Sequence, residues 1–376
     1  MKDFVAIALL ALGGGYALLK PSTPDAEPHE PTPPASQASG VEATPAANRV
    51  SVELLEPSLD YLTRDGAQWL HGESPYNQNN GCVSCHVVGF AVWGHRAVEA
   101  RTTTSPSDLK IGSDLRNQEI DALFEEGMAF IAQPGIGRAA TWSQMLLARG
   151  LRDEATYDWQ PTIDALVESQ EPDGRWRARG QFPRQRRGEL EGDGVATMWA
   201  LLALDRVDER EETIVDAMTE ALAWLTTEAE GQSSEWRAMR LLTERRLGDE
   251  DEVRRRLTGI IDHQRADGGW SWLSEETVSE EPQDASDAYS TGVTLYALRR
   301  AGLAPDHPSV LGAVRYLLEE RLDDGRWLVP SATTSAQASE DRDYIYEYWG
   351  TAWAVIGLAE VLPDIEPAPR TAHLSD

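Results

Sequence analysis

At 376 residues and 41% hydrophobic side chains, the chain is long enough to bury a large core in one or two domains. Its formal net charge is −29, from 63 acidic against 34 basic residues, with acid-rich runs at 208–212, 249–252 and 275–281. Such a surface repels nucleic acid and anionic lipid. No polynucleotide partner is expected, and the membrane is expected to be met only through the N-terminal segment.

That segment, 1–20, places Lys2 before an apolar run from Phe4 to Leu19, interrupted by Gly13, Gly14 and Gly15. The run is shorter than the roughly 20 residues of a spanning helix and long for a signal-peptide core. A removed signal and a retained anchor both fit, and either places the rest across a membrane, in a bacterial periplasm or cell envelope. Residues 21–48 are rich in Pro, Ala, Ser, Thr and Glu without apolar periodicity, which predicts a disordered linker. A folded region over 49–366 and a disordered tail over 367–376 complete the expected organisation.

The only two cysteines are Cys82 and Cys85, followed directly by His86. This C-x-x-C-H spacing is the attachment sequence of c-type haem: each thiol adds to one vinyl group, and the histidine supplies the proximal iron ligand. Covalently attached haem c is therefore the expected cofactor. A local redox pair, a disulfide clip and half of a metal site are the alternatives, because a structural zinc needs four ligands and no second Cys/His cluster accompanies the first.

From residue 50 onward the pattern is helical and repeats. Three segments close an apolar-periodic helix with Asp-Gly and place a Trp two residues after the Gly. They are Gln170 to Trp176 with Asp173, Gln264 to Trp270 with Asp267, and Arg321 to Trp327 with Asp324. More apolar helices follow at 83–98, 139–151, 195–207, 236–248, 289–303 and 349–362. They align on Cys85, Thr141, Thr197, Ala238, Thr291 and Thr351. First helices are expected near 51–64, 117–132, 159–170, 211–228, 251–264 and 308–321. A period of about fifty residues marks a repeat architecture whose units cannot bury their apolar faces alone. Six pairs without polar end units predict an all-α (α/α)6 toroid.

The Gln-x-x-Asp-Gly-x-Trp segments resemble the QW repeats of squalene–hopene cyclases. More broadly the chain is similar to the terpenoid cyclase and protein prenyltransferase toroid superfamily over roughly residues 50–363. The resemblance implies that the second helix of each pair is the inner one. It also implies that Gln170, Trp176, Gln264, Trp270 and Trp327 tie neighbouring outer helices together. The family's chemistry does not follow. The acid motif Asp-x-Asp-Asp-Thr-Ala is absent, since Ala196 and Ser290 stand directly before Thr197 and Thr291. Asp193 and Asp287 are expected to be helix caps. The prenyltransferase zinc ligands are missing too.

On this scaffold the first inner helix is expected to carry Cys82, Cys85 and His86 at the cavity mouth. Met198, and after it Met145, are the candidate distal iron ligands, with an open sixth position as the alternative; His95 is expected to be a packed histidine. Arg175, Arg177, Arg179, Arg184, Arg186 and Arg187 cluster in one loop of an acidic chain, suiting haem propionates, an anionic substrate or an acidic redox partner. The functional expectation is an exported haem-c redox protein with a redox partner or a small hydrophobic ligand. Its alternative is a non-catalytic toroid binding a hydrophobic or peptide ligand.

Overall fold

The computed structural model describes residues 50–74, 87–102, 111–133, 138–149, 157–178, 187–208, 210–228, 230–272, 285–329 and 340–363. Among these, twelve helices follow in order: α1 (Val52–Leu70), α2 (Val88–Thr102), α3 (Ile111–Ile131), α4 (Ala139–Arg149), α5 (Gln160–Glu168) and α6 (Glu189–Leu204). The second half comprises α7 (Glu212–Thr227), α8 (Ser234–Leu247), α9 (Glu250–Asp262), α10 (Ala288–Arg300), α11 (Pro308–Glu319) and α12 (Glu340–Ala359).

Sequence composition divides them into two layers. Helix α6 is buried continuously from Gly192 to Leu204 and α10 from Ala288 to Leu298, the signature of helices enclosed on all sides. Helix α9 buries only Glu252, Val253 and Ile260, one stripe of an otherwise polar surface. The even-numbered helices form the inner layer: each packs on the next, and α12 packs back on α2. The ring is closed, and the expected all-α (α/α)6 toroid is the observed fold.

Several helices start at side-chain caps. Ser51 Oγ accepts the Leu54 N–H, Ser233 Oγ the Trp236 N–H, and Asp287 Oδ1 the Ser290 N–H. Two inner helices begin before the first apolar residue of their pattern. Helix α6 starts at Glu189 rather than 195, and α12 at Glu340 rather than 349. Acidic residues in a first turn are favoured by the helix dipole although they add no apolar signal. The longer α6 places Asp193 inside the helix instead of at its cap. Asp193 Oδ1 accepts the Ala178 N–H at 2.8 Å, tying the preceding loop to the helix.

The repeat motifs join the layers with the same bonds each time. Trp176, Trp270 and Trp327 donate their indole N–H to Leu166, Ile260 and Leu317 of the preceding outer helix, at 2.7–2.9 Å. Their backbone N–H groups donate to Thr197, Thr291 and Thr351 of the following inner helix. Gln170 and Gln264 each donate to their own loop (Gly174 and Gly268 carbonyls) and to the next outer helix (Ala217 and Ser309 carbonyls). Asp173, Asp267 and Asp324 accept the N–H two residues on, an Asx turn that shapes each loop. The third motif reaches across to α1, where Ser58 Oγ donates to the Gly325 carbonyl at 2.6 Å.

Candidate functional site

Cys82, Cys85 and His86 lie outside the described residues, as do Arg179, Arg184 and Arg186. The first inner helix starts at Val88, after the cysteine motif rather than within it. Met145 and Met198 are buried in the core. His95 bonds to Thr63 Oγ1 at 2.8 Å and to the Leu59 carbonyl, a packed histidine satisfied by α1. Arg175 lies 3.4 Å from Asp193, and Arg177 pairs with Glu171.

Arg187 behaves differently. Its side chain is fully buried, and Nη1 donates to Glu235 Oε2 at 2.8 Å; the Glu235 side chain is 2% exposed. Helix α8 presents Glu235 from its first turn, just after the Ser233 cap. The second carboxylate oxygen receives the Trp199 indole N–H from α6 at 3.4 Å. The Arg187 guanidinium lies 5.4 Å from the centre of the Trp272 ring. Trp272 in turn meets Tyr289 at 5.3 Å, and Tyr289 meets Trp349 at 6.1 Å. Burial, followed by the Glu235 carboxylate, holds the Tyr289 phenol well above its ordinary range. Three consecutive inner helices and one loop thus converge on a carboxylate clamped between a guanidinium and an indole.

Two further carboxyls flank this cluster. Asp287, capping α10, is pushed up to about 6 by burial, against the pull of the Ser290 and Tyr289 groups that donate to it. Asp193 in α6 is raised by burial, with the Ala178 N–H and Arg175 opposing. Both serve their own backbone, whereas Glu235 is held by side chains alone among its hydrogen bonds described above.

Below Glu235 the ring is filled. Trp199 packs on Trp93 at 5.5 Å and on Trp353 at 5.9 Å, while Phe90 and Tyr296 each lie within 6 Å of Trp353. Edge and tilted contacts of this kind suit ring quadrupoles and leave little void. On the far side of this plug, a cavity of about 220 Å³ opens at the C-terminal ends of the inner helices.

No family model and no curated protein matches the chain. Among solved structures it is similar to "a possible member of GH105 family" from Klebsiella pneumoniae subsp. pneumoniae MGH 78578. That match has a TM-score of 0.52 and 14% identity, and covers 87% of this chain and 99% of the other. A second possible member of GH105 family, from Salmonella enterica subsp. enterica serovar Paratyphi A str. ATCC 9150, matches with a TM-score of 0.50 and 13% identity. It covers 83% of this chain and 94% of the other. At such identities the likeness establishes the toroid fold.

These findings correct the functional expectation. The toroids that this chain resembles are described as possible members of the GH105 family, not as cytochromes, so the haem-c, electron-transfer reading is set aside.

Two residues central to this site had weak sequence signals. Glu235 stands three positions before Ala238, where two aligned inner helices carry Gly194 and Ala288. The other aligned helices carry Cys82, Arg138 and Tyr348 there, so the available clue was a lone acid at a position of no fixed type. Arg187 was visible only as the last member of an arginine-rich loop, and its inward turn depends on α8.

Proposed function

We propose that this chain is a carbohydrate-active enzyme that hydrolyses a glycosidic bond at the N-terminal rim of its toroid, with Glu235 as the proton-transferring carboxylate. The observation that carries the reading is Glu235 itself: a buried carboxylate oriented by Arg187 and Trp199 and surrounded by aromatic faces. The likeness to possible GH105 proteins supports the same class. Glycosidic cleavage needs a carboxyl group to move a proton beside the scissile bond. In this role Glu235, oriented by Arg187, takes a proton from the attacking water as the water oxygen bonds the anomeric carbon. The glycosidic C–O bond breaks and the leaving oxygen gains a proton from water, so that one water molecule is consumed. Trp272 and Tyr289 supply flat faces of the kind on which the apolar face of a sugar ring stacks. The resemblance of the motifs to QW repeats is, in this reading, one of scaffold. The apolar start of the chain and its Pro-rich linker support export to the cell envelope, where extracellular glycans are met.

The test is turnover on a panel of neutral and uronic-acid-containing oligosaccharides, with products identified by mass spectrometry. Glu235→Gln is expected to reduce kcat at least a thousandfold while the melting temperature stays within a few degrees of wild type. Tyr289→Phe, which keeps the ring, serves as the second variant if Glu235→Gln does not fold, and is expected to lower turnover by tenfold or more. Full turnover in a folded Glu235→Gln protein, or wild-type protein inert on the whole panel, would sink the reading.

A further inference from the structure

The cavity at the opposite end of the ring has a composition that the rim site does not use. Four arginines line its mouth: Arg206 just beyond α6, Arg245 and Arg246 in the last turn of α8, and Arg300 at the end of α10. Its floor is aromatic, formed by Trp93, Trp199 and Tyr296, and all three are buried. Among the described residues no carboxylate lines the cavity. In a chain of net charge −29 this is a local reversal of sign.

Part of the reversal has a structural cause. Helix C-termini carry about half a negative charge each and favour arginine in their last turns. Arg246 also donates to Asp205 at 2.6 Å, Arg245 pairs with Glu250, and Arg300 lies 3.4 Å from Glu360. Two of these carboxylates are shared: Asp205 also accepts from Arg210, and Glu360 from Arg101. Among the described residues Arg206 makes no ion pair or side-chain hydrogen bond. It is exposed at the mouth of the cavity, beside Arg246 and Arg300. Three helix ends supply roughly −1.5 against four guanidinium groups facing one cavity. Helix-dipole compensation therefore accounts for fewer arginines than are present.

We propose that this cavity binds a small ring-bearing organic anion. Its carboxylate or phosphate would be held by Arg206 with Arg245, Arg246 and Arg300, and its ring would lie on the Trp93, Trp199 and Tyr296 floor. Guanidinium forks match both oxyanions in two-bond geometry. The size agrees, since about 220 Å³ falls below the roughly 300–1,000 Å³ of drug-sized pockets and suits one ring. The aromatic plug separates this site from Glu235, and Trp199 belongs to both, giving its indole N–H to Glu235 and its ring to the cavity.

The experiment titrates the full chain with phenyl phosphate and with benzoate, reading tryptophan fluorescence and calorimetric heat, with inorganic phosphate as the ringless comparison. The expected result is saturable one-to-one binding of at least one ring-bearing probe, tighter than inorganic phosphate and weakening as salt is added. Arg206→Gln is expected to weaken it at least tenfold, and Arg245→Gln serves as a second variant. Arg254→Gln, an exposed arginine of α9, is expected to leave it unchanged. Absence of saturable binding by both ring-bearing probes, or wild-type affinity in folded Arg206→Gln and Arg245→Gln proteins, would overturn the proposal. The readout is binding, so the result stands whether or not the chain hydrolyses glycans.

Discussion

Asp287 is the residue where local structure and stability conflict most directly. Its carboxylate caps α10, yet it is buried, and burial raises its pKa to about 6. Between the ordinary aspartate value and about 6, the folded state holds a proton that the unfolded state has released. Stability therefore falls as pH rises through that window, the reverse of the usual salt-bridged aspartate. A displacement of about two pKa units corresponds to roughly 3 kcal/mol. Asp287→Asn keeps a side-chain oxygen for the Ser290 N–H and removes the charge. Urea unfolding of the variant at pH 4, 5, 6 and 7 should lose the downward slope that the wild type shows across this range; an unchanged slope would count against the burial argument. Gly268 makes the complementary case for backbone. Its φ is +96, and a Cβ there would stand 2.7 Å from the Gly312 carbonyl carbon of α11. Gly268→Ala combines left-handed strain with a collision against backbone, and a loss of about 2–4 kcal/mol in unfolding free energy is expected.

At the scale of elements, the contact between α10 and α12 decides how tightly the ring can close. A Cβ on Gly292 would lie 2.5 Å from the Trp353 carbonyl oxygen, and one on Gly357 would lie 2.6 Å from the Gly292 carbonyl oxygen. Alanine in a helix interior ordinarily gains about 1 kcal/mol over glycine. Here the two backbones touch, so Gly292→Ala and Gly357→Ala should each lower the melting temperature instead of raising it. Gly259→Ala, on the outer helix α9 with open space around its Cβ position, should show the ordinary gain. Most helices were legible because they carry their own signal: apolar periodicity in the outer layer, near-continuous apolar sequence in α6 and α10, and Asp-Gly turns after α5, α9 and α11. The starts of α6 and α12 were not; in α6, Glu189 contributes through the helix dipole and leaves no mark in an apolar pattern. Glu235 and Arg187 were hidden for a different reason. Their pairing spans 48 positions and exists only once α6, α8 and α10 stand side by side. The Cys82–His86 motif stood out most in the sequence, and it lies outside the described residues.

Closure is the property that belongs to the whole molecule. In an open solenoid each unit touches only its neighbours, so removal of the last unit costs about that unit's share and leaves a shorter stable array. This chain has no such end. Helix α12 packs on both α10 and α2, and the Gly325 turn of the sixth pair docks on α1 through Ser58. Tyr348 adds a bond from α12 to the Leu62 carbonyl in α1 at 2.8 Å, and Tyr344 stacks on Trp69. Losing the sixth pair would strip α1 and α2 at one end of the chain and α10 at the other. It would also expose Trp93, Trp199 and Tyr296, which pack directly on Trp353. A chain ending at residue 306 should therefore lose the cooperative unfolding transition altogether, with near-ultraviolet circular dichroism collapsing while part of the helical signal survives. A truncated protein that still melts in one sharp step, at five-sixths of the wild-type unfolding enthalpy, would mean that the repeats are additive and that closure contributes little.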